Sequence, residues 1–507
     1  MTKILESVNA LVWGVPALLL ILSVGVFISV RTGFVQLRLF PQAWKDFLSR
    51  FFGKKPQGGM SSFQALCTAL AATVGTGNLA GVAGAIAIGG PGSIFWMWIC
   101  GILGMGLKFA EATLAVRFRK KGFDGIYQGG PMLMIEQGLG SKWSFLGYCY
   151  CFFGVIAAFG IGNGTQINAV LTGINGVADS FGIPFGQTGN MVIGAALAVL
   201  IVSMLLGGAK RIGSVAERLV PLAALTYLLM GLGVLIVRAE QIPGALTSIV
   251  HGAFSPNSVT GGVIGSAFQT LRIGISRGVF TNEAGMGTAA MAHAAAEVDH
   301  PVEQGLMGIM EVFLDTIVIC TVTALVILCS GTPVYYGIDE GLALTTRAFS
   351  AVYGDWVSVL ITLETCCFAF ATVLGWGLYG ARCAQYLFGD SSWKVFAWLQ
   401  GATVIVSAML QTGTVWLIAE IVNGLMAIPN LIALAFLTPE LITLLKSYPG
   451  GAAAEGGTYA YFYQRKPLRA FSHAEIPSLR REGPGAGKDH LSSEHRPAGP
   501  GNAPGIL

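Results

Sequence analysis

Apolar residues in this chain come in long runs separated by short polar stretches, and each run is about as long as a helix needs to cross the hydrocarbon core of a bilayer. Stretches of roughly 20 predominantly apolar residues number about eleven, at 9–30, 63–89, 93–116, 145–173, 190–207, 218–237, 261–291, 304–330, 356–380, 394–411 and 416–438. Two of them carry glycine and polar residues where a spanning helix should be smoothest, in Thr73-Val-Gly-Thr-Gly-Asn78 and in Arg272-Ile-Gly-Ile-Ser-Arg-Gly278. An unpaired backbone group in hydrocarbon costs several kcal/mol, so unwound chain at that depth must be buried in protein or line a filled cavity. Both segments therefore read as broken helices.

With the first run set aside, the other ten divide into five (63–237) and five (261–438), each set opening with a broken helix. An odd number of spans per set forces the two halves into opposite topologies, the pattern of an inverted repeat with substrate and coupling ion held at the breaks. The expected fold is an all-α polytopic membrane protein of about eleven transmembrane helices, one extra N-terminal helix plus a 5+5 inverted repeat. Residues 1–446 form the transmembrane domain, one bundle rather than two domains.

Composition sharpens this picture. Hydrophobic residues make up 53% of the 507, charged residues only 11%, and glycines number 70; mean hydropathy is +0.67. The first apolar run is too long for a secretory signal and lacks a basic start and a small-residue cleavage site, so it is expected to span. The nine cysteines lie almost entirely within the apolar runs, which gives neither a zinc spacing nor a secreted disulfide framework. The net charge of +4 gives no sign of nucleic-acid binding, and no obligate protein partner is expected.

Basic residues are uneven. Arg31, Arg38, Lys45, Arg50, Lys54 and Lys55 follow the first run, Arg117, Arg119, Lys120, Lys121 and Lys142 the third, Lys210 and Arg211 the fifth, Arg382 and Lys394 the ninth. The positive-inside bias then puts the N-terminus outside and the C-terminus in the cytoplasm, although the acidic loop 292–303 fits poorly. Residues 447–507 turn to Gly, Pro, Ser and charge and are expected to form a disordered cytoplasmic tail.

The runs Gly75-Thr-Gly-Asn-Leu-Ala-Gly81, Gly89-Gly-Pro-Gly-Ser-Ile-Phe-Trp-Met-Trp98 and Gly278-Val-Phe-Thr-Asn-Glu-Ala-Gly-Met-Gly287 resemble the signatures of the alanine or glycine:cation symporter family, also called sodium:alanine symporters. The likeness extends to about Lys446, and only the Gly-Gly-Pro-Gly-Ser stretch departs slightly from the usual pattern. It implies the leucine-transporter (LeuT-type) fold and sodium-driven import of small neutral amino acids, alanine or glycine, across a prokaryotic plasma membrane. It implies Na⁺ as the coupling ion, the small amino acid and the lipid bilayer as partners, and no enzyme activity.

Unwinding at the first break frees N–H groups at Thr76, Gly77 and Asn78 and exposes the positive end of the following half-helix, which suits a substrate carboxylate. Carbonyls near Ala71 and Val74 suit a sodium ion. Asn78 offers an amide oxygen to a cation or an NH₂ to a carboxylate, and the sequence leaves that choice open. A glycine-rich helix crossing is the competing reading of the segment. At the second break, Gly274, Ile275, Ser276 and Phe268 are expected around the substrate's ammonium and side chain, with Thr270 a candidate for a second sodium site. Arg272 and Arg277 are costly in a membrane and must face water or an acid such as Glu283. Gln166 lies mid-run as a further substrate contact. Thr372 and Trp376 stand one helical turn apart; by resemblance Thr372 joins Ala71 and Val74 around sodium while Trp376 caps the pocket.

The acids Glu111, Glu311, Asp315, Glu364 and Glu420 fall inside apolar runs. Glu111 reads as paired with Lys108 one turn earlier, and Asp315 is the strongest candidate for a proton-coupled alternative. A different class is raised by Gly274-Ile-Ser-Arg-Gly278, a literal G-x-S-x-G, which is the nucleophile motif of hydrolases. Nothing supplies the preceding strand or a nearby base that such a serine needs. A passive channel is a third reading, disfavoured by the absence of any filter-like repeat.

Overall fold

The computed structural model describes residues 2–53, 59–122, 125–183, 186–409 and 413–449; the expected tail lies outside them beyond residue 449. The principal helices, in chain order, are α1 (Thr2–Val12), α2 (Val15–Arg31), α3 (Phe40–Phe51) and α4 (Ser62–Thr73). Then come α5 (Gly77–Gly89), α6 (Gly92–Arg117), α7 (Ser141–Asp179), α8 (Gly186–Leu205) and α9 (Gly208–Val237). They continue with α10 (Ile242–Phe254), α11 (Ala267–Asn282), α12 (Ala290–His293) and α13 (Pro301–Cys329). The last are α14 (Leu342–Tyr353), α15 (Val357–Phe388), α16 (Ser392–Met409) and α17 (Gly413–Ser447). Each apolar run of the sequence holds helix. Among the described residues, α6, α7, α8, α9, α13, α15 and the Glu420–Ser447 part of α17 are long and apolar enough to cross a membrane singly, and α4 with α5 does so as a pair bent by 53°.

The first break has a local cause. Helix α4 opens on a capping box in which Ser61 and Gln64 exchange side-chain-to-backbone hydrogen bonds, and it ends where Val74 swings to an extended conformation, ψ 98°. Gly75 and Gly77 flank the turn, and the helix restarts at Gly77–Gly81 with a wider π-helical turn. Here glycine is also demanded by packing, because a Cβ on Gly75 would stand 2.8 Å from the Thr372 hydroxyl on α15. One turn earlier, α15 presses Gly375 against Ala72 so closely that a Cβ would meet the Ala72 backbone nitrogen at 2.9 Å.

The second break is not at 272–278. Helix α11 runs uninterrupted through Asn282, and the chain unwinds just afterwards. Glu283 is left-handed (φ 53°), followed by Gly285 (φ 88°) and Gly287 (φ 76°), before α12 resumes. Gly274 and Gly278 serve a helix crossing instead. A Cβ on Gly274 would lie 2.3 Å from the Ser93 carbonyl oxygen, and one on Gly278 would lie 3.0 Å from Cys100 Cβ, both on α6. This is the small-xxx-small contact by which membrane helices approach one another.

Two large apolar clusters result, beside a small one of Leu235, Ala245 and Cys329. One gathers Leu107, Ile275, Val279, Met307 and Ile309 of α6, α11 and α13; the other gathers Tyr150, Ile201, Trp376 and Phe396 of α7, α8, α15 and α16. Helix α4 gives Leu70 and Ala71 to the first cluster, with Val74 just beyond it, and Ala69 and Ala72 to the second, so the first break sits on the seam. Outward faces carry exposed Val199, Leu222 and Ile236, as lipid contact requires. The nine cysteines are all free thiols.

Candidate functional site

At the first break, Asn78 is wholly buried and both ends of its amide are engaged. Its Oδ1 accepts the Gly75 N–H at 2.9 Å, which fixes the turn. Its Nδ2 donates to Asp315 Oδ1 at 2.7 Å. Asp315 stands on a π-helical stretch of α13, Phe313–Cys320, a geometry that often accompanies function. Its second oxygen accepts the Thr316 hydroxyl at 2.7 Å, and Thr316 in turn accepts from Asn282 Nδ2 at 3.2 Å. Asn282 ends α11. One buried carboxylate therefore links the two unwound segments through neutral donors. Composition gave Asp315 as a possible proton carrier; the bridge between the breaks needed the bend of both helices and was invisible in sequence.

The remaining residues expected at the first break converge there. Thr372 approaches Gly75 while its hydroxyl donates to the Phe368 carbonyl at 3.0 Å, and Ala71 and Val74 are buried beside it. The Thr76 hydroxyl donates to Gln166 Oε1 at 3.3 Å. The Asn78 N–H is taken by the Gly75 carbonyl at 3.2 Å, which leaves Thr76 and Gly77 as the substrate-facing part of that expectation. Trp376 is fully buried, and its indole N–H donates to Glu283 Oε1 at 2.9 Å. The Thr288 hydroxyl donates to the other Glu283 oxygen at 2.5 Å. These two bonds hold a left-handed non-glycine residue, a conformation that costs of order 1–3 kcal/mol.

The residues expected from 268–276 lie elsewhere. Ile275, eight residues before Glu283, is about 12 Å back along the helix and packs in the apolar core. Phe268 is 57% exposed. Thr270 is buried, with its hydroxyl bonded back to Ser266 at 3.4 Å, and in an unbroken helix the carbonyls of 270–274 are spent on the helix itself, which removes them from ammonium or sodium ligation. Ser276 sits in the same helix with no strand before it. The residues of α11 that do approach the first break are Phe280 and Thr281, 3.5–3.7 Å from where a Cβ on Gly77 would be. The readable signal was the left-handed demand of Glu283-Ala-Gly-Met-Gly287.

A cavity of about 360 Å³ opens beside the first break, lined by Thr76, Gly77, Thr165, Asn168, Phe280 and Gly341 among others, a size typical of small-molecule sites. At its rim Arg277 Nη2 meets Asp339 Oδ2 at 3.3 Å, so Arg277 faces an acid, though not Glu283. Next to it Arg347 grips Glu340 with bonds of 2.5 and 2.7 Å and thereby holds the Glu340 carboxyl below the usual carboxylate range. The loop is tied to α5 by the Gly337 N–H on the Ala87 carbonyl (2.9 Å), and the following helix α14 by the Thr345 hydroxyl on the Leu79 carbonyl (3.0 Å).

Other intramembrane acids have partners that composition could not assign. Lys108 pairs with Glu311 at 3.1 Å rather than with Glu111. Glu420 accepts from Asn9 Nδ2 at 2.8 Å, and Glu364 accepts from the Thr226 hydroxyl.

Two opposed helix breaks around a buried polar site, in a bundle of apolar helices, are the architecture of a multi-pass membrane transporter. The chain belongs to the sodium:alanine symporter family, whose profile it matches over residues 1–459. It is 40% identical over 450 residues to the sodium/alanine symporter AgcS of Methanococcus maripaludis, covering 88% of this chain and 97% of that one. It is also 40% identical over 452 residues to an uncharacterized transporter of Haemophilus influenzae, with 88% and 96% covered. The fold is similar to that in the crystal structure of MhsT in complex with L-phenylalanine, with a TM-score of 0.54, 15% identity, and 77% of this chain and 99% of that one covered. The LeuT-type architecture expected from the sequence is thus the observed one, and the family's members are carriers rather than hydrolases.

Proposed function

We propose that this protein imports alanine or glycine together with sodium, by alternating access of one set of helices against the other. The observation that carries this reading is the buried Asp315 carboxylate joined to Asn78 at one break and, through Thr316 and Asn282, to the other. A carboxylate supported by neutral donors alone favours a cation beside it. Backbone N–H groups of Thr76 and Gly77 take the substrate carboxylate, with Gln166, Phe280 and Thr281 alongside and Trp376 closing the floor. Sodium is assigned to the carbonyls near Ala71 and Val74 and the hydroxyl of Thr372, where the crossing with α15 brings oxygen against the unwound turn.

The family name and the symporter of M. maripaludis support sodium and alanine. Bacterial and archaeal relatives, with the basic loops, support a prokaryotic plasma membrane, N-terminus outside and C-terminus in the cytoplasm. The repeats are assigned to 63–237 and 261–438. A proton on Asp315 in place of sodium is the competing reading, favoured by the same lack of a basic partner. Uptake of radiolabelled alanine into proteoliposomes under a sodium gradient or a proton gradient separates the two. Accumulation with sodium alone supports the proposal, and accumulation with protons alone supports the alternative.

A further inference from the structure

A second buried acid, Glu111 on α6, lies below the second break and plays no part in the scheme above. Around it stand Lys108 on its own helix, Glu311 on α13, Glu283 at the break, His293 on α12, and the phenols of Tyr150 on α7 and Tyr379 on α15, all buried. The lysine's charge goes to Glu311 Oε1 at 3.1 Å, and the other Glu311 oxygen meets His293 Nε2 at 2.8 Å. His293 Nδ1 faces the Gln304 amide nitrogen at 2.7 Å, and the Gln304 oxygen accepts the Ser62 hydroxyl at 2.6 Å. With the amide so oriented, Nδ1 accepts from Gln304 and Nε2 faces the Glu311 oxygen. Glu283 has a donor on each oxygen, Trp376 and Thr288.

Glu111 differs. Both of its donors, the Gly287 N–H at 2.9 Å and Asn430 Nδ2 at 2.7 Å, fall on Oε1, while Oε2 is buried with no partner. Asn430 Oδ1, on the amide already bonded to this carboxyl, is likewise buried with no partner. Two acceptors lacking a donor, on two side chains already joined by one bond, would both be satisfied by a single hydrogen shared between them. We propose that Glu111 binds a proton on Oε2 and donates it to Asn430 Oδ1, closing an acid–amide pair that grips Gly287 of the second break. The proton comes from water, and one proton satisfies both atoms.

This makes Glu111 a proton site distinct from the sodium and substrate positions. Asn430 also donates to the Gly285 carbonyl at 2.9 Å, so the pair holds the unwound segment at two points. Losing the proton places a buried charge between Lys108 and Glu311 and opens the pair, loosening the segment. Proton occupancy thereby biases the transport cycle without the proton being the driving ion.

The test uses the purified full chain and Glu111→Gln, whose NH₂ stands where the proposed O–H would be. Infrared spectroscopy at neutral pH is expected to show a protonated-carboxyl band that Glu111→Gln lacks. A fold that binds a proton its unfolded chain does not hold loses stability as pH rises, so the wild-type melting temperature should fall as pH rises from the usual carboxylate range to about neutral and level off above it, and that of Glu111→Gln should stay flatter. Sodium-driven uptake should fall several-fold over that range in wild type and stay level in the variant. A carboxyl band that persists in Glu111→Gln and disappears in Asp315→Asn overturns the proposal, as does a variant whose melting and uptake follow the wild-type pH dependence. The infrared and melting measurements need no substrate, so they stand or fall apart from the transport reading.

Discussion

Asn78 shows how one side chain can tie two elements together at a site. It shapes the unwound turn through Gly75 and anchors Asp315, so its conformation is fixed before anything binds. Removing the Asp315 charge should therefore damage ion coupling more than folding. Asp315→Asn is expected to raise the sodium concentration for half-maximal uptake at least about tenfold, equivalent to 1.4 kcal/mol; an unchanged sodium titration would remove Asp315 from the ion's surroundings. Thr372→Ala should weaken sodium dependence while Thr372→Ser preserves it, because only the hydroxyl faces Gly75. If the two variants behave alike in a sodium titration, the hydroxyl is not a ligand.

Individual side-chain chemistry was partly legible. Gly75, Thr76, Gly77 and Asn78 announced themselves because polar and flexible residues in hydrocarbon need a reason. The pairing of Lys108 with Glu311 was not legible, because it depends on α13 lying across α6, and charge spacing along one helix reports only that helix.

At the scale of the element, the first break was readable and the second was misplaced by nearly three helical turns. Gly274 and Gly278 looked like breakers, and Arg272 and Arg277 looked like cavity polarity. In the fold the glycines are contact points with α6, while Arg277 turns to Asp339 at the cavity rim. Glycine in a membrane helix serves either close packing or unwinding, and composition alone does not separate them. Ile275→Ala therefore gives a sharp test. As a core residue it should cost about 2–5 kcal/mol of stability, and competition by leucine or methionine should not change; a broadened substrate range would return Ile275 to the pocket.

The real second break carries its own prediction. Gly287 has φ 76°, and a Cβ there would stand 2.3 Å from Pro131 Cγ and 2.7 Å from Asn430. Gly287→Ala should lower stability by at least about 2 kcal/mol from the left-handed backbone and the overlap together, read as a lower melting temperature in detergent. A melting temperature equal to wild type would mean that the segment is free to rearrange.

For the whole molecule, the two large apolar clusters meeting at α4 supply the seam that the proposed alternating access needs. The rim pair Arg277–Asp339 is half-exposed and long at 3.3 Å, the kind of ion pair worth about 0–1 kcal/mol, so it can separate at little cost. The bundle class, its helical runs and the family were legible because a bilayer constrains sequence strongly.

The central claim is that transport is driven by sodium through this site. The most direct measurement is accumulation of radiolabelled alanine in proteoliposomes under an inward sodium gradient, compared with an inward proton gradient and with none. Accumulation above the external concentration with sodium alone, shifted in Asp315→Asn to sodium concentrations about tenfold higher, is the predicted result. Equilibration without accumulation, or accumulation driven equally by protons alone, would contradict it.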